Sequence, residues 1–280
     1  MHFYTAQMWS VVTVSNVVTQ SQVGRSPKHK LSCPKPTCAL RAEDRVGLPV
    51  SKAEFCTPRD KPKNLVPEIE KIFHFSLPVA GRVPVSFWDL LQEWDRLHPI
   101  SEGWEYRLWQ DPIAAEYFPI TSTTWKDCVC PVQVSGLMRL EAVYHYGGFY
   151  VDMDVVPMRK FDVLLNNSCV FCLQDEPFFY TPDCIFGATK YNPLIRVAID
   201  RALSMDMKAG PLATGPANLT AVVDEFRLRH GWDWNGGWTV LPSKTFFPYS
   251  YTEKHREQED FSQDKEVLCR HLWQHSWKGF

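Results

Sequence analysis

The sequence lacks an excess of charge of either sign. Its 280 residues include 30 Lys and Arg against 32 Asp and Glu, which gives a formal net charge of −2. A surface that tracks nucleic-acid phosphates needs a clear basic excess, so no nucleic-acid partner is expected. The hydrophobic fraction of 45% and the charged fraction of 22% are instead typical of a globular chain with one main domain.

The sequence also lacks a hydrophobic run long enough to predict a membrane-spanning helix. Such a helix needs about twenty predominantly apolar residues, whereas polar side chains interrupt residues 1–23 throughout. Arg25, Lys28 and Lys30 follow this stretch, although the charges of a signal peptide precede its apolar segment. No membrane segment is therefore predicted. Glycosylation-type motifs at Asn166 and Asn218 permit a secretory location without establishing it.

Cysteine is too scarce for a scaffold built on disulfides, with nine in the chain. Cys128 with Cys130, and Cys169 with Cys172, have spacings that can be read as a zinc site. No histidine stands at a matching spacing, and Cys169 and Cys172 lie in an apolar run. We therefore interpret these cysteines as small buried hydrophobic residues.

Hydrophobic periodicity predicts alternating strands and helices after residue 64. Residues 1–64 are predicted to be a loosely ordered arm, and residues 65–280 a single domain. The predicted strands cover residues 71–75, 104–109, 149–152, 170–173, 185–188 and 238–241. The predicted helices cover residues 84–97, 113–118, 134–146, 193–205 and 216–229. This alternation indicates the α/β class, with a mainly parallel central sheet flanked by helices.

Two carboxylates stand two residues apart in the strongest local motif, residues 146–157. Asp152 and Asp154 come where an apolar predicted strand ends. Residues i and i+2 of an extended chain point to the same side, so both acids can face one cation. Carboxylate oxygens together with a diphosphate suit Mg²⁺ or Mn²⁺. Ligands of open α/β sheets bind beyond the carboxyl ends of strands, where these acids are predicted to lie.

Five segments, in order, carry a resemblance to a known family. They are residues 71–74, 106–111, 137–157, 214–216 and 271–277. The sequence resembles the retaining glycosyltransferases with a DXD sugar-binding region, a family 32-like group that contains the yeast initiating mannosyltransferase and is related to the clostridial glucosylating toxins. The resemblance implies a GT-A-type nucleotide-sugar-binding fold and a Mn²⁺ or Mg²⁺ cofactor. It further implies that the enzyme transfers a hexose from a UDP- or GDP-sugar to a hydroxyl of a glycan, lipid or protein, with retention of the anomeric configuration. As the location of the protein, we favour the Golgi lumen over the cytoplasm.

The resemblance assigns roles where positions match. Asp154 would ligate the metal directly, and Asp152 would contact the ribose and metal-bound water. Arg139 would reach the donor from the amphipathic helix at residues 134–146, which suits a planar group with several donors. These three residues are the predicted catalytic set, and His271 is a predicted further metal ligand. The predicted donor-binding residues are Arg139, His74, Tyr150, Gly148, Ser276 and Trp277, of which the last two form a carboxyl-terminal lid with His271.

The sequence departs from the family pattern at three positions. Gly136 stands where the family usually has an aspartate that binds donor-sugar hydroxyls. Leu272 replaces the second histidine of the usual His-His-Trp motif, and His275 stands where glycine is common. The loss of a carboxylate at Gly136 gives the alternative hypothesis of a catalytically weak or inactive descendant that binds a nucleotide or glycan.

Several residues also have simpler structural interpretations. Arg139 would pair with a nearby acid such as Glu141 or Glu116. His74 would be a core histidine whose ring is satisfied by the protein, and His271 a solvated one. A glycoside hydrolase fits less well, because its two carboxylates flank a scissile bond about 5–9.5 Å apart instead of sharing a cation.

Overall fold

The computed structural model describes residues 68–77, 85–110, 117–176, 178–231 and 237–274. The strands are β1 (Ile72–Leu77), β2 (Glu105–Gln110), β3 (Gly148–Val151), β4 (Val155–Pro157), β5 (Cys169–Cys172), β6 (Ile185–Ala188), β7 (Trp238–Leu241) and β8 (Cys269–His271). The helices are α1 (Val85–Leu97), α2 (Pro131–Tyr146), α3 (Pro193–Ser204), α4 (Pro211–Thr214) and α5 (Pro216–His230). The predicted arm at residues 1–64 and most of the predicted helix at residues 113–118 lie outside the described residues.

The predicted strands and helices within the described residues are confirmed to within about three residues of their bounds. The helix α2 starts at Pro131, three residues before the predicted start, because proline fits the first turn of a helix, where its missing N–H is not needed. The glycine that ends it, Gly147, has φ 67°, a conformation that side chains other than glycine rarely adopt.

The central sheet has the strand order β2-β1-β3-β6-β5-β7. The strand β6 runs antiparallel to both neighbours, β3 and β5. The other adjacent strands of this sheet are parallel. The predicted mainly parallel α/β class is therefore confirmed. A separate two-stranded sheet pairs β4 with β8 in antiparallel register, with Val155 opposite His271.

Helices and loops cover both faces of the central sheet. On one face, Phe73 stacks on Trp104 with ring centroids 4.6 Å apart and packs on Trp94 at 4.5 Å. Phe149 joins this cluster, whereas the next residue of β3, Tyr150, lies in a second cluster with α2, α3 and α5. Successive strand residues point to opposite faces, so the sheet buries both sets of side chains.

The prediction that α2 is amphipathic is wrong. Every residue from Ser135 to Val143 is buried, including Arg139 at 7% exposure and Glu141 at 0%. The helix lies between the sheet on one side and α3 and α4 on the other. Its charged residues therefore face protein groups instead of solvent.

The cysteine interpretation is confirmed for Cys128, Cys130, Cys169 and Cys172, which are all buried. Burial raises the pKa of the Cys169 thiol to about 12, so it stays protonated at neutral pH. No helix among the described residues has the length and apolar character needed to cross a membrane.

The asparagines of the two glycosylation-type motifs differ in solvent exposure. Asn166 is exposed. Asn218 is only 1% exposed and its side chain donates to the carbonyl oxygen of Ala198 at 3.0 Å. An enzyme that modifies folded protein would therefore reach Asn166 and not Asn218.

Candidate functional site

The two acids of the DXD motif lie in a turn at the carboxyl end of β3. Asp152 follows Val151 directly, and the N–H of Val155 donates to the Asp152 carbonyl at 3.2 Å, which closes the turn before β4. The expectation that an extended backbone turns both acids to one side is therefore wrong. The turn brings them together instead, since both approach the same ring nitrogen, Nε2 of His271, at 3.8 Å for Asp152 and 3.3 Å for Asp154.

Each of the two acids has one oxygen held by the protein. Asp152 Oδ1 accepts from the Tyr150 hydroxyl at 2.8 Å and lies 3.4 Å from Arg139. Asp154 Oδ2 accepts the backbone N–H of Gln274 at 2.9 Å. The second oxygen of each acid, Oδ2 of Asp152 and Oδ1 of Asp154, is turned toward His271.

Arg139 connects Asp152 with a second buried acid, Asp183. Its guanidinium lies 3.2 Å from the Asp183 carboxylate and donates to the Asp183 carbonyl at 2.7 Å. Burial lowers the pKa of Arg139, but the neighbouring Asp183, Tyr150 and Asp152 outweigh it, so the pKa rises and the charge is permanent. Burial would raise the pKa of Asp152, but Arg139 and His271 more than offset this and hold it below its usual value.

The simpler pairing of Arg139 with Glu141 is wrong. The Glu141 carboxylate accepts the backbone N–H groups of Ile120 and Thr121, both at 2.8 Å, and lies 3.1 Å from His145. It therefore anchors the loop ahead of α2. The other suggested partner, Glu116, lies outside the described residues.

Asp183 is a site residue that the sequence analysis missed. Burial raises the pKa of its carboxyl to about 6, although the charge of Arg139 opposes the increase. Asp183 lies just before β6, and because β6 is antiparallel to β3, the start of β6 meets the end of β3. The N–H of Asp152 donates to the carbonyl of Cys184 at 2.8 Å across this junction. The only sequence signal was an acid immediately before an apolar run.

Tyr150 lies where it can position the acids but presents no face to a donor. It is 1% exposed, its hydroxyl lies 2.8 Å from Ser76 Oγ, and the Arg139 guanidinium stacks 4.4 Å from its ring centroid. Burial raises the pKa of Tyr150, so its hydroxyl remains a donor to Asp152. Tyr150 therefore contacts Asp152 and Arg139 directly, and its donor-binding role stays a prediction.

His74 takes the structural role that was the alternative interpretation. It is 0% exposed, its Nε2 is 2.7 Å from the Gly147 carbonyl, and its Nδ1 accepts from the Trp109 indole N–H at 3.1 Å. Burial lowers its pKa to about 3, so the ring is neutral. Both ring nitrogens are used inside the core, and we do not include His74 among the proposed donor contacts.

Gly148 also serves packing. It lies at the opposite end of β3 from Asp152 and has φ 89°. A Cβ at this position would come within 2.4 Å of the Ile72 carbonyl oxygen. A glycine is therefore needed for β3 to approach β1, and the expected contact of Gly148 with the donor is not supported by its location.

His271 reaches the acid turn from β8. Its Nδ1 accepts the backbone N–H of Trp273 at 3.0 Å, which places the proton of a neutral ring on Nε2, facing Asp152 and Asp154. Burial lowers the pKa of His271, but the two acids outweigh it and the pKa is raised. The predicted solvated histidine is therefore wrong, since the ring is buried between carboxylates and Trp273.

The donor atoms fit a divalent cation. One oxygen of each acid is turned toward His271, and one oxygen of Asp152, the Cys184 sulfur and one nitrogen of His271 all lie within 4.8 Å of one another, a group that does not include Asp154. Oxygen ligands suit Mg²⁺ or Mn²⁺. His271 would ligate through Nε2 only with its proton on Nδ1, where the Trp273 N–H donates in this structure. Asp152 and Asp154 are therefore the better-placed ligands.

The predicted lid lies mostly outside the described residues, which end at residue 274. Ser276, Trp277 and His275 remain predictions. Trp273, the aromatic residue before them, is 6% exposed and packs 5.5 Å from the Phe247 ring centroid, so it is part of the core.

Gly136 allows α2 and α4 to pack closely. A Cβ on Gly136 would lie 2.6 Å from the Thr214 carbonyl oxygen and 2.7 Å from its hydroxyl oxygen. The backbone of Thr214 therefore closes the space that an aspartate at this position would need.

Gly136→Ala is expected to lower the free energy of unfolding by about 1 kcal/mol or more, because overpacking costs about 1–3 kcal/mol and exceeds a helix-propensity gain of up to about 1 kcal/mol. Urea unfolding measures the change. Gln92→Ala, at an exposed position of α1, is the control and should change stability by less than about 0.5 kcal/mol. Equal or higher stability of Gly136→Ala would show that α4 yields without cost.

The comparisons with known proteins agree with the resemblance seen in the sequence. Residues 84–171 match the family model described as the glycosyltransferase sugar-binding region containing DXD motif. This range includes Arg139, Asp152 and Asp154 and ends before Asp183 and His271. The resemblance to the DXD-containing glycosyltransferases is confirmed over these residues.

Individual relatives are more distant. The chain is 27% identical over 136 residues to inositol phosphoceramide mannosyltransferase 1 of Schizosaccharomyces pombe, covering 47% of this chain and 42% of the relative. It is 26% identical over 172 residues to inositol phosphoceramide mannosyltransferase 2 of the same organism, covering 58% and 48%. The chain thus spans less than half the length of these relatives. Among solved structures, the PaToxG glycosyltransferase matches with a TM-score of 0.45 and 16% identity, covering 59% of this chain and 72% of that one.

Proposed function

We propose that this chain is a metal-dependent, retaining glycosyltransferase that transfers a hexose from a nucleotide-diphosphate sugar to a hydroxyl acceptor. The observation that carries the proposal is the convergence of Asp152 and Asp154 on one space at the carboxyl end of β3, with Arg139 beside them. Because this group lies within the region that matches the sugar-binding family model, its acids and cation-binding geometry are best explained by a diphosphate ligand.

In this proposal, Asp154 and Asp152 hold a Mn²⁺ or Mg²⁺ ion through the oxygens that are turned toward His271. The ion would offset the negative charge that develops on the departing diphosphate. Arg139 contributes a fixed positive charge from α2, and Tyr150 holds Asp152 in place through its hydroxyl. The chain thereby supplies a preorganised site for a group that gains charge during the reaction.

Retention of configuration fits a front-face transfer better than a protein nucleophile. Asp152 and Asp183 are both paired with Arg139, which stabilises them as anions and reduces their nucleophilicity. In front-face transfer, the acceptor oxygen bonds to the anomeric carbon while the bond from that carbon to the diphosphate oxygen breaks. The acceptor proton passes to the leaving diphosphate, so the charges balance without a covalent intermediate.

The curated relatives suggest which substrates to test first. Both are named as mannosyltransferases that act on inositol phosphoceramide, so we propose mannose as the sugar and a lipid hydroxyl as the first acceptor class. The proposed donors are GDP- and UDP-sugars. Glycans and proteins are the other proposed classes of acceptor. A location in the Golgi lumen would be consistent with a lipid acceptor and remains a proposal.

The test is release of nucleotide diphosphate from a panel of GDP- and UDP-sugars with Mn²⁺, with and without lipid or glycan acceptors. The proposal predicts release that EDTA abolishes and that added Mn²⁺ restores. If no sugar in the panel is consumed under any of these conditions, the transferase proposal fails.

A second candidate, a binding protein descended from transferases, is favoured by one observation. The space beside Gly136 is closed by Thr214, so the usual carboxylate for the donor sugar has no room there. Calorimetry separates the two proposals, because a binding protein takes up a nucleotide diphosphate with Mn²⁺ but never consumes the sugar donor.

A further inference from the structure

Cys184 places a thiol beside the acid turn. It lies one residue before β6, and its carbonyl accepts the N–H of Asp152 at 2.8 Å. Its sulfur, an oxygen of Asp152 and a nitrogen of His271 all lie within 4.8 Å of one another. No hydrogen bond of this sulfur is found within the described part of the chain.

The surroundings of Cys184 differ from those of other described cysteines. Cys128 donates its thiol to the Thr124 carbonyl at 3.6 Å, and Cys172 to the Pro242 carbonyl at 3.2 Å. Cys184 packs in the apolar cluster that contains Val151 and Ile185, and it also lies close to the charged groups of Asp152, Asp183 and Arg139. These charged neighbours distinguish it from a thiol that serves only as core filler.

The distances are close to those around a single ion. Two ligand atoms on one ion lie at most about 4.6 Å apart, which is twice a metal–sulfur bond of about 2.3 Å. The limit of 4.8 Å for the Asp152, Cys184 and His271 atoms exceeds this by only a few tenths of an ångström. The spacing of the Asp152 and Cys184 atoms is therefore close to the spacing that one cation can span.

Cys184 is also less obstructed than His271. The ring nitrogen Nδ1 of His271 already accepts the Trp273 N–H, so ligation through Nε2 requires that contact to break. The thiol has no competing contact of this kind among the residues that the structure describes. Asp152 and the thiol lie in one group of ligand atoms and offer a hard oxygen donor and a soft sulfur donor.

We infer that Cys184 is a ligand, beside Asp152 and Asp154, of the cation in this site, and that the site therefore selects a transition-metal ion over Mg²⁺. The inference rests on the cation site of the proposed function and decides between its two candidate ions. Sulfur ligands favour borderline and soft ions, whereas Mg²⁺ binds almost entirely to oxygen. Among transition ions, Co²⁺ and Zn²⁺ should bind more tightly than Mn²⁺.

Ligation uses the thiolate, so the thiol proton leaves to solvent when the metal–sulfur bond forms. In the absence of a cation, burial and the neighbouring acids raise the pKa of Cys184 well above its usual value. A dication at the site reverses the local electrostatics and stabilises the thiolate.

The experiment is a titration of the full chain with CoCl₂, followed by absorbance. A thiolate bound to Co²⁺ gives a sulfur-to-cobalt charge-transfer band in the near ultraviolet, which oxygen and nitrogen ligands do not. The wild-type chain should show this band and Cys184→Ser should lose it. Cys128→Ser is the matched control, since Cys128 and Cys184 are both 8% exposed, and it should keep the band. Thiols other than Cys128 and Cys184 are present in all three proteins and contribute equally to each.

Calorimetry with the same three proteins gives the second readout. Cys184→Ser should weaken Co²⁺ binding at least about tenfold, which corresponds to about 1.4 kcal/mol, and should leave Mg²⁺ binding unchanged. If Cys184→Ser fails to fold, Asp154→Asn takes its place and should reduce the charge-transfer band by removing a shared ligand. A band and a Co²⁺ affinity that are unaffected by Cys184→Ser, or a wild-type chain without a band, would overturn the inference.

The charge-transfer band and the Co²⁺ affinity do not depend on turnover of a sugar donor. A Cys184-dependent band in a protein that consumes no sugar donor would support the metal site and contradict the transferase proposal. Donor turnover with a band that is absent or independent of Cys184 would leave the transferase proposal intact and refute the thiol ligand.

Discussion

Arg139→Leu is expected to lower the free energy of unfolding by about 3–5 kcal/mol, the typical cost of removing one partner from a buried ion pair. Arg139 has a side chain only 8% exposed, and it pairs with Asp183 at 9% and Asp152 at 28%. Without it, two carboxylates share a confined space with no neutralising charge. Denaturant unfolding at neutral pH measures the loss.

The matched control is Arg196→Leu. Arg196 pairs with Asp200 on the surface of α3, where the side chains are 42% and 53% exposed. Exposed ion pairs contribute about 0–1 kcal/mol to stability, so the free energy of unfolding of this variant should be close to that of the wild type. Arg139→Lys keeps the positive charge but loses the planar guanidinium that reaches both acids. Its free energy of unfolding should therefore lie between those of the wild type and Arg139→Leu. Equal stability of Arg139→Leu and Arg196→Leu would show that the buried pairs contribute nothing.

Asp154→Asn is expected to abolish the dependence of nucleotide-diphosphate binding on Mn²⁺ while leaving the fold intact. The amide oxygen can still accept the Gln274 N–H that Asp154 accepts now, so the local backbone contact survives. What is lost is the negative charge of the oxygen that faces His271. Calorimetric titration of UDP and GDP, with and without Mn²⁺, measures the effect.

Asp89→Asn is the control for this variant, because Asp89 is exposed on α1. It should bind nucleotide diphosphate as the wild type does. Thermal unfolding of both variants without metal should give midpoints near that of the wild type. An Asp154→Asn variant with undiminished Mn²⁺-supported affinity would place the cation elsewhere.

Much of the fold followed from the order of apolar segments in the sequence. The strand at Ile185–Ala188 and the strand at Trp238–Leu241 have the bounds that the apolar runs predicted. Strand direction was not encoded in those runs. The antiparallel course of β6 depends on how the whole sheet assembles, and for that reason Asp183 and Cys184 were missed beside the acid turn.

The structure brings the predicted residues Asp152, Asp154 and Arg139 close together, but in a geometry that the sequence did not predict. Asp152 and Asp154 do converge, but through a turn instead of an extended strand. Arg139 and Glu141 suggested a solvent-facing side of α2, whereas both are buried with specific partners. A charged residue in a helix is normally predicted to lie on the surface unless a buried partner is known. The partner of Arg139, Asp183, is 44 positions away in the chain, so the sequence pattern did not reveal it.

The antiparallel direction of β6 has a consequence for the effect of mutations near the site. Because β6 enters the sheet at the edge where β3 leaves it, the segment between β5 and β6 delivers Asp183 and Cys184 straight to the acid turn. Residues 179–184 of that segment are buried, and Asp183 is paired with Arg139 of α2. A change in sugar or metal preference at this position is therefore tied to the packing of the core, and substitutions there should alter stability as well as chemistry.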